Sequence, residues 1–384
     1  MPESFAREND GPLVCVAGTR PEVIKLAPVY LAARAALGPG RAAWIATGQH
    51  AEMGDQMLDA FGIEPDVRLK TAAGGDLAAL TANLLKDLDA SYADLAPSVV
   101  AVQGDTTTAM VGALAAFYRR IPVGHVEAGL RSHDLDNPFP EEANRRLIAQ
   151  IAAAHFAPTA LAAANLKAEN TPPETIFVTG NTAIDAQHAI LRNPTLANAF
   201  PPPEAGRRRI LATLHRREAW GAALDGVCRA LAAVVDARAD IEVVLPVHRN
   251  PRVSATVRRA LGGRDRVLLT EPLGYAEFQS ALRQSFLVLT DSGGVQEEAP
   301  TFGVPVLVAR NVTERSEAID AGVARLVGLN GGDIERSMLR LLDDPALYAA
   351  MSAAENPFGD GKAADRIVAE LASRVGATWN RATA

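Results

Sequence analysis

Short apolar runs recur along this chain, each closing on a polar or glycine-containing loop and each followed by a helical pattern. They are Leu13 to Ala17, Ala43 to Thr47, Pro97 to Val102 and Ile121 to Val126, then Arg209 to Thr213, Ile241 to Leu245, Val267 to Thr270, Phe286 to Leu289 and Pro305 to Ala309. Runs this short and this rich in Val, Ile and Leu suit strands covered on both faces, and the helical stretches between them supply the crossovers that parallel pairing requires. The series restarts after the proline-rich piece from Asn193 to Pro203. This predicts an α/β protein with two doubly wound, Rossmann-like domains, and 384 residues is the length such a pair needs. With the two halves facing a central cleft, the polar loops at the strands' carboxyl ends converge, and ligands bind at such ends in open α/β sheets.

The balance of the chain narrows the function classes. Its formal charge of −7 leaves no broad basic footprint for nucleic acid. The short clusters Arg207 to Arg209 and Arg258-Arg259 read as solvated faces. Cys15 lies in an apolar run and Cys228 in a helical pattern, so both are expected to be buried thiols in a reducing compartment. No leader pattern opens the chain and no apolar run reaches transmembrane length, which predicts a cytoplasmic protein without a membrane partner. His125-Val126-Glu127 has the H-x-E form of zinc deaminases, but the P-C-x-x-C half and any H-E-x-x-H are missing, so no metal is expected.

Several loops carry chemistry. After Phe286 to Leu289 come Thr290-Asp291-Ser292-Gly293-Gly294, and a helical pattern begins at Val295. Paired glycines there let backbone N–H groups approach a phosphate, and Glu297 and Glu298 fall in the first turn, where a carboxylate accepts bonds from a ribose diol or caps the helix. Gly18-Thr19-Arg20-Pro21 turn the first strand into a helix without dinucleotide or P-loop glycines. Arg20 and Lys25 are two cations near that helix start, suited to a pyrophosphate or simply to a helix surface. Asp105, followed by Thr106, Thr107 and Thr108, is either part of a helix cap or a carboxylate aimed into a cleft. Glu127 ends another strand. Pro140 is placed to start a helix carrying Glu141 and Glu142, where Glu141 and Arg145 have the i, i+4 spacing of a surface pair. His215-Arg216-Arg217-Glu218 follow Arg209 to Thr213, and His248 follows Ile241 to Leu245.

The series GTRPEVIKLAPV from Gly18, TGQH from Thr47, QGDTTT from Gln103, GHVEAGLRS from Gly124, PEEANR from Pro140, VTGNTAID from Val178, HRRE from His215, PVHRNP from Pro246, LTDSGGVQEEAP from Leu289 and TERSEAIDAG from Thr313 resembles the non-hydrolysing UDP-N-acetylglucosamine 2-epimerase family. The likeness runs in order through NPFGDGKAADRI from Asn356. It implies a glycosyltransferase B type fold, with an N-terminal domain over 1–178 joined by a C-terminal helix 366–384, a UDP-binding domain over 179–365, and a homodimer. The implied reaction is epimerisation at C2 of a UDP-N-acetyl-hexosamine through elimination and re-addition of UDP, with no redox cofactor. By motif position, Asp105, Glu127 and Glu141 resemble the acid/base carboxylates and His215 the residue assisting the departing diphosphate. Arg20 and Lys25 resemble cleft cations, and Ser292, Gly293, Gly294 and Glu298 the UDP anchor. Gln49, Arg216 and His248 match positions that hold a second UDP-N-acetylglucosamine as effector in bacterial relatives. The chain departs from the family pattern at Leu214, where a glycine commonly precedes the histidine, and at Ala51, where a basic residue commonly follows Gln-His. The first is expected to narrow the approach of the diphosphate.

Which carboxylate abstracts the proton and which returns one stays open, as do the sugar's substituents, since relatives act on UDP-linked diacetamido-sugar acids. A glycosyltransferase with the same cleft would not need three carboxylates. A non-catalytic UDP-sugar sensor would not need the acids and bases at all.

Overall fold

The computed structural model describes residues 10–48, 51–70, 76–215 and 221–374. By their internal contacts they form two compact units, residues 1–189 with 359–384, and residues 190–358. These divisions differ from the 178/179 and 365/366 read from the sequence. The reason lies in the helix Thr182–Leu191, whose Asp185 accepts bonds from the amides of Ala363 and Ala364, 3.3 and 2.9 Å, at the start of the helix Ala363–Arg374. Those amides have no partner inside their own helix, so the carboxylate caps them and ties both helices into the first unit.

In the first unit, seven strands form one sheet: β1 (Leu13–Ala17), β2 (Ala42–Ala46), β3 (Val67–Arg68), β4 (Val99–Gln103), β5 (Val123–Val126), β6 (Ala154–Ala157) and β7 (Ile176–Val178). Their order is β3-β2-β1-β4-β5-β6-β7, and each neighbouring pair is parallel. The second unit repeats the plan with β8 (Arg208–Thr213), β9 (Ile241–Pro246), β10 (Val267–Thr270), β11 (Leu287–Thr290), β12 (Val306–Val308) and β13 (Ala324–Leu326), ordered β10-β9-β8-β11-β12-β13. In each sheet the order reverses beside the first strand, between β1 and β4 and between β8 and β11. Such reversals part the crossover helices and open a crevice at the strands' carboxyl ends.

The fully buried pattern of β1 and β4 follows from helices packed on both faces. Trp44 of β2 is buried and meets Tyr30 edge-on, ring centroids 5.6 Å apart. The strands without an apolar β-branched run were not visible beforehand: β6 reads Ala-His-Phe-Ala and β13 Ala-Arg-Leu. Arg209 corrects the expectation of a solvated basic face at Arg207 to Arg209. Its register partner on β9 is Glu242, and the guanidinium is buried against that carboxylate at 2.7 Å, over the Phe200 ring. Arg258 and Arg259 are exposed, as expected.

One buried pair links the sheet to pH. His125 of β5 and His155 of β6 are register partners, 1% and 2% exposed. His125 Nε2 lies 2.7 Å from the Gly104 carbonyl, an acceptor, so Nε2 carries the proton. Burial pushes His125 down to about 4, the Gly104 bond only partly opposing it. Burial, with the charges of His125 and Arg131, pushes His155 down to about 3. Both pKa values lie below the roughly 6.5 of an unfolded histidine, so the stability they contribute is present above that pH and lost as pH falls toward 4. We expect the urea midpoint of the first unit to drop between pH 7 and pH 4.5, by the equivalent of a few kcal/mol. His125→Gln should shrink that drop, and equal midpoints at both pH values in the parent chain would refute the assignment.

Candidate active site

At the β1/β4 reversal the backbone is shaped before any candidate side chain is placed. The chain leaves β4 through Gly104, φ 72°, whose carbonyl is held by His125. Glycine adopts that left-handed conformation without penalty. Thr106 then caps the helix Thr107–Tyr118 by accepting from the Ala109 amide, 3.0 Å. Its hydroxyl donates to Glu22, 2.5 Å, and Glu22 also accepts from the amides of Gly18 and Thr19, 3.0 and 2.7 Å. Burial pushes the Glu22 carboxyl up against the opposing pull of these bonds. One buried carboxylate thus locks the loop after β1 to the loop after β4.

With Thr106 as the cap, Asp105 is released from that duty. Its Oδ2 instead meets Arg145, 2.6 Å from Nη2 and 2.9 Å from Nε, and its carbonyl accepts from Asn144, 2.8 Å. The expected Glu141–Arg145 surface pair does not form, because Arg145 turns to Asp105 and to Glu142, 3.1 Å. Glu142 is fully buried and accepts from the Ser132 amide, Arg145 and Arg146. Burial pushes its carboxyl up, but those three donors outweigh it and hold the group below the usual range. Its neighbour is the opposite case: Glu141 Oε2 is buried without a hydrogen-bond partner. Buried polar atoms are nearly always paired, so an orphan of this kind calls for a ligand or a proton to meet it.

Glu127, directly after β5, has φ 63° and a side chain 8% exposed. It accepts from Lys25 Nζ, from Gln103 Nε2 and, at 3.4 Å, from Asn181 Nδ2. Lys25 and Glu127 are therefore brought together, and Lys25 is engaged by a carboxylate where the sequence suggested a cation for pyrophosphate. Arg20 is half-buried and makes no ion pair among the described residues. A cavity of about 210 Å³ opens at the carboxyl ends of β1 and β2, lined by Gly18, Gly48, Asp55 and Arg68 among others.

The second unit builds its own reversal between β8 and β11. His215 follows β8. Its Nδ1 lies 2.8 Å from Asp291 Oδ1, and its amide donates to Oδ2 at 2.9 Å. The carboxylate of Asp291 is fully buried while the imidazole is 47% exposed, so the ring is oriented from behind and presents its other nitrogen outward. Leu214 is buried in this unit's core, which removes the expectation that its side chain narrows the path of a diphosphate. Ser292 occupies the N-cap position of the helix Gly293–Glu298 without a side-chain cap bond, and the helix begins two residues before the Val295 suggested by pattern. Glu297 and Glu298 accordingly lie beyond the first turn. Glu297 is bonded to Arg315, 2.8 Å, and Glu298 accepts from Gln279, 2.6 Å. Gly293 is close to the Arg315 guanidinium, where a β-carbon would stand 3.2 Å from Cζ. His248, after β9, accepts from the Asn250 amide at 3.1 Å. Gln49 and Arg216 lie outside the described residues.

Asp291, Arg145, Asn181 and Gln103 were not singled out from the sequence. Asp291 had a signal, an aspartate closing a buried strand, but its partner is a histidine far along the chain. Arg145 had the wrong signal, since helical spacing offers Glu141 and only the fold offers Asp105.

Among the described residues no helix is long and apolar enough to cross a membrane. A model of the UDP-N-acetylglucosamine 2-epimerase family matches residues 40–372. The UDP-N-acetylglucosamine 2-epimerase of Salmonella typhimurium is 47% identical over 371 residues, covering 94% of this chain and 98% of that protein. The crystal structure of UDP-GlcNAc 2-epimerase from Neisseria meningitidis bound to UDP-GlcNAc superposes with a TM-score of 0.84 at 39% identity, over 94% of this chain and 100% of that one. The glycosyltransferase of kitacinnamycin shares the fold alone, with a TM-score of 0.62 at 14% identity over 95% and 99% of the two chains. With matching motifs in order along both sheets, this chain belongs to the UDP-N-acetylglucosamine 2-epimerase family, a family of isomerases on a glycosyltransferase B type scaffold.

Proposed function

We propose that the chain interconverts UDP-N-acetylglucosamine and UDP-N-acetylmannosamine by eliminating and re-adding UDP. The observation that carries this reading is the unpartnered, buried Oε2 of Glu141 on the helix that also fixes Asp105. A C2 proton that is not beside a carbonyl needs a strong reason to leave, and loss of UDP from C1 supplies it. A carboxylate takes the C2 proton as the C1–O bond breaks, the electron pair forms C1=C2, and UDP carries away the negative charge. Re-addition returns a proton to the opposite face of C2 while the diphosphate oxygen re-forms its bond to C1. No electron enters or leaves overall.

In this reading Asp105, Glu127 and Glu141 are the acid/base carboxylates. His215, oriented by Asp291, donates to the departing diphosphate, and Arg20 offsets its charge. Ser292, Gly293, Gly294 and Glu298 hold the UDP. Lys25 serves mainly to fix Glu127, since its Nζ is bonded there. A second UDP-N-acetylglucosamine as effector is supported by the cavity lined by Gly48 and Arg68.

Incubation with UDP-N-acetylglucosamine in D2O, followed by NMR, should place deuterium at C2 and produce the manno epimer. Intact protonated substrate would overturn the reading. Asp105→Asn, Glu127→Gln and Glu141→Gln should each slow exchange by roughly two to four orders of magnitude while UDP affinity stays close to that of the parent.

Asp291→Asn should reduce turnover almost as much as His215→Asn, by about 10²- to 10³-fold. The side-chain amide has one accepting oxygen where the carboxylate has two and carries no charge, so it cannot serve both the imidazole and the His215 backbone amide. If Asp291→Asn leaves turnover at saturation unchanged, Asp291 does not orient a reacting imidazole, and if His215→Asn does so while UDP affinity falls, His215 is a binding group only.

For the effector, initial rates from the manno epimer should start with little lag and little dependence on trace UDP-N-acetylglucosamine, because Ala51 stands where relatives commonly carry a long basic side chain. One lost charge-assisted contact is worth about 1.5–3 kcal/mol. An absolute requirement for the trace compound would contradict this.

A further inference from the structure

Resting on the reading above, we propose that Arg145 is the positioning residue for the proton transfers, holding Asp105 in fixed register with Glu141. The geometry makes one rigid chain of contacts. Arg145 Nε and Nη2 both reach Asp105 Oδ2, at 2.9 and 2.6 Å, and Nη1 reaches Glu142 at 3.1 Å. The adjacent Asn144 grips the Asp105 carbonyl at 2.8 Å, and His125 holds the Gly104 carbonyl before it. Glu142 is braced in turn by the Ser132 amide and by Arg146, so the guanidinium is gripped from both sides.

Two physical points separate this from an ordinary surface pair. The side chains of Arg145, Asp105 and Glu142 are only 16%, 26% and 0% exposed, so solvent screens them little. The planar guanidinium also presents its donors in a fixed fork, which sets direction as well as charge. Glu141 is one turn earlier on the same helix, Glu141–Ile151. Whatever fixes Arg145 therefore fixes the spacing between a held carboxylate and an unpaired one. Without the guanidinium, Asp105 sits one residue before the cap Thr106, where helix amides and the positive helix end attract a carboxylate. Arg145 keeps it from turning there. It does so without touching substrate itself.

The test is a cycle of Arg145→Met, Asp105→Asn and the double variant, with thermal unfolding as a check on the fold. Arg145→Met should lower kcat about a hundredfold, the scale expected for a misplaced reacting group, with KM and UDP affinity within about threefold of the parent. Arg145→Lys, or guanidinium added to Arg145→Met below denaturing concentration, should recover about tenfold. In the Asp105→Asn background, Arg145→Met should cost less than about threefold more, because the residue acts through Asp105. Equal losses in both backgrounds, or a loss of UDP affinity with kcat unchanged, would overturn the proposal. Should the parent chain exchange no deuterium at C2, the functional reading fails by itself. A crystal structure of Arg145→Met then decides the positioning role: an Asp105 carboxylate turned toward the helix amides supports it, and one left in place refutes it.

Discussion

The reversal of strand order beside β1 and β8 is the constraint on which the rest depends. A parallel sheet needs a crossover helix for each strand, and where the crossovers part company the strand ends stand open to solvent. Most of the residues proposed for chemistry lie where the chain leaves those ends: Gly18 to Arg20 after β1, Gly104 and Asp105 after β4, Glu127 after β5, His215 after β8, and Asp291 to Gly294 after β11, while Glu141 opens the helix Glu141–Ile151. The buried strands set where the loops begin, and the loops spend their polar groups on one another before anything is left for a ligand.

That internal use of polar groups separates structural ties from the residues proposed to react. Glu22 and Glu142 are fully buried carboxylates, and each is surrounded by donors, so each works as a structural tie. Removing water from a carboxylate is costly unless hydrogen bonds replace it. Glu141 has been desolvated on one oxygen without such replacement, and His215 is anchored on one face and open on the other. Groups left incomplete by an otherwise well-satisfied network are where a substrate's own atoms finish the arrangement.

Much of the fold was legible because parallel strands covered on both faces must be continuously apolar, and nine of them stand out by that property alone. β6 and β13 were not legible, since Ala-His-Phe-Ala and Ala-Arg-Leu are held in the sheet by neighbours rather than by their own propensity. The start of the helix at Gly293 was hidden for a related reason: two glycines are poor helix formers, and Ser292 with its Thr290 bond makes the start.

The same division holds at the site. Asp105, Glu127 and His215 are visible from sequence because each stands at or just after the end of an apolar run, and Glu141 because it follows Pro140 at a helix start; their proposed roles come from the resemblance of those motifs to a known family. Their partners are not visible. Glu141 and Glu142 are adjacent and chemically identical, yet one is saturated by Ser132, Arg145 and Arg146 while the other keeps a bare oxygen. Arg145 is spaced to pair with Glu141 and pairs with Asp105, and Asp291 finds His215 across two adjacent strands. The sequence by itself determined which residue types stand at the strand ends, because that follows from local pattern. Only the tertiary structure decided which of them are held and which are left open, because hydrogen bonds and ion pairs depend on separations in space that packing alone sets.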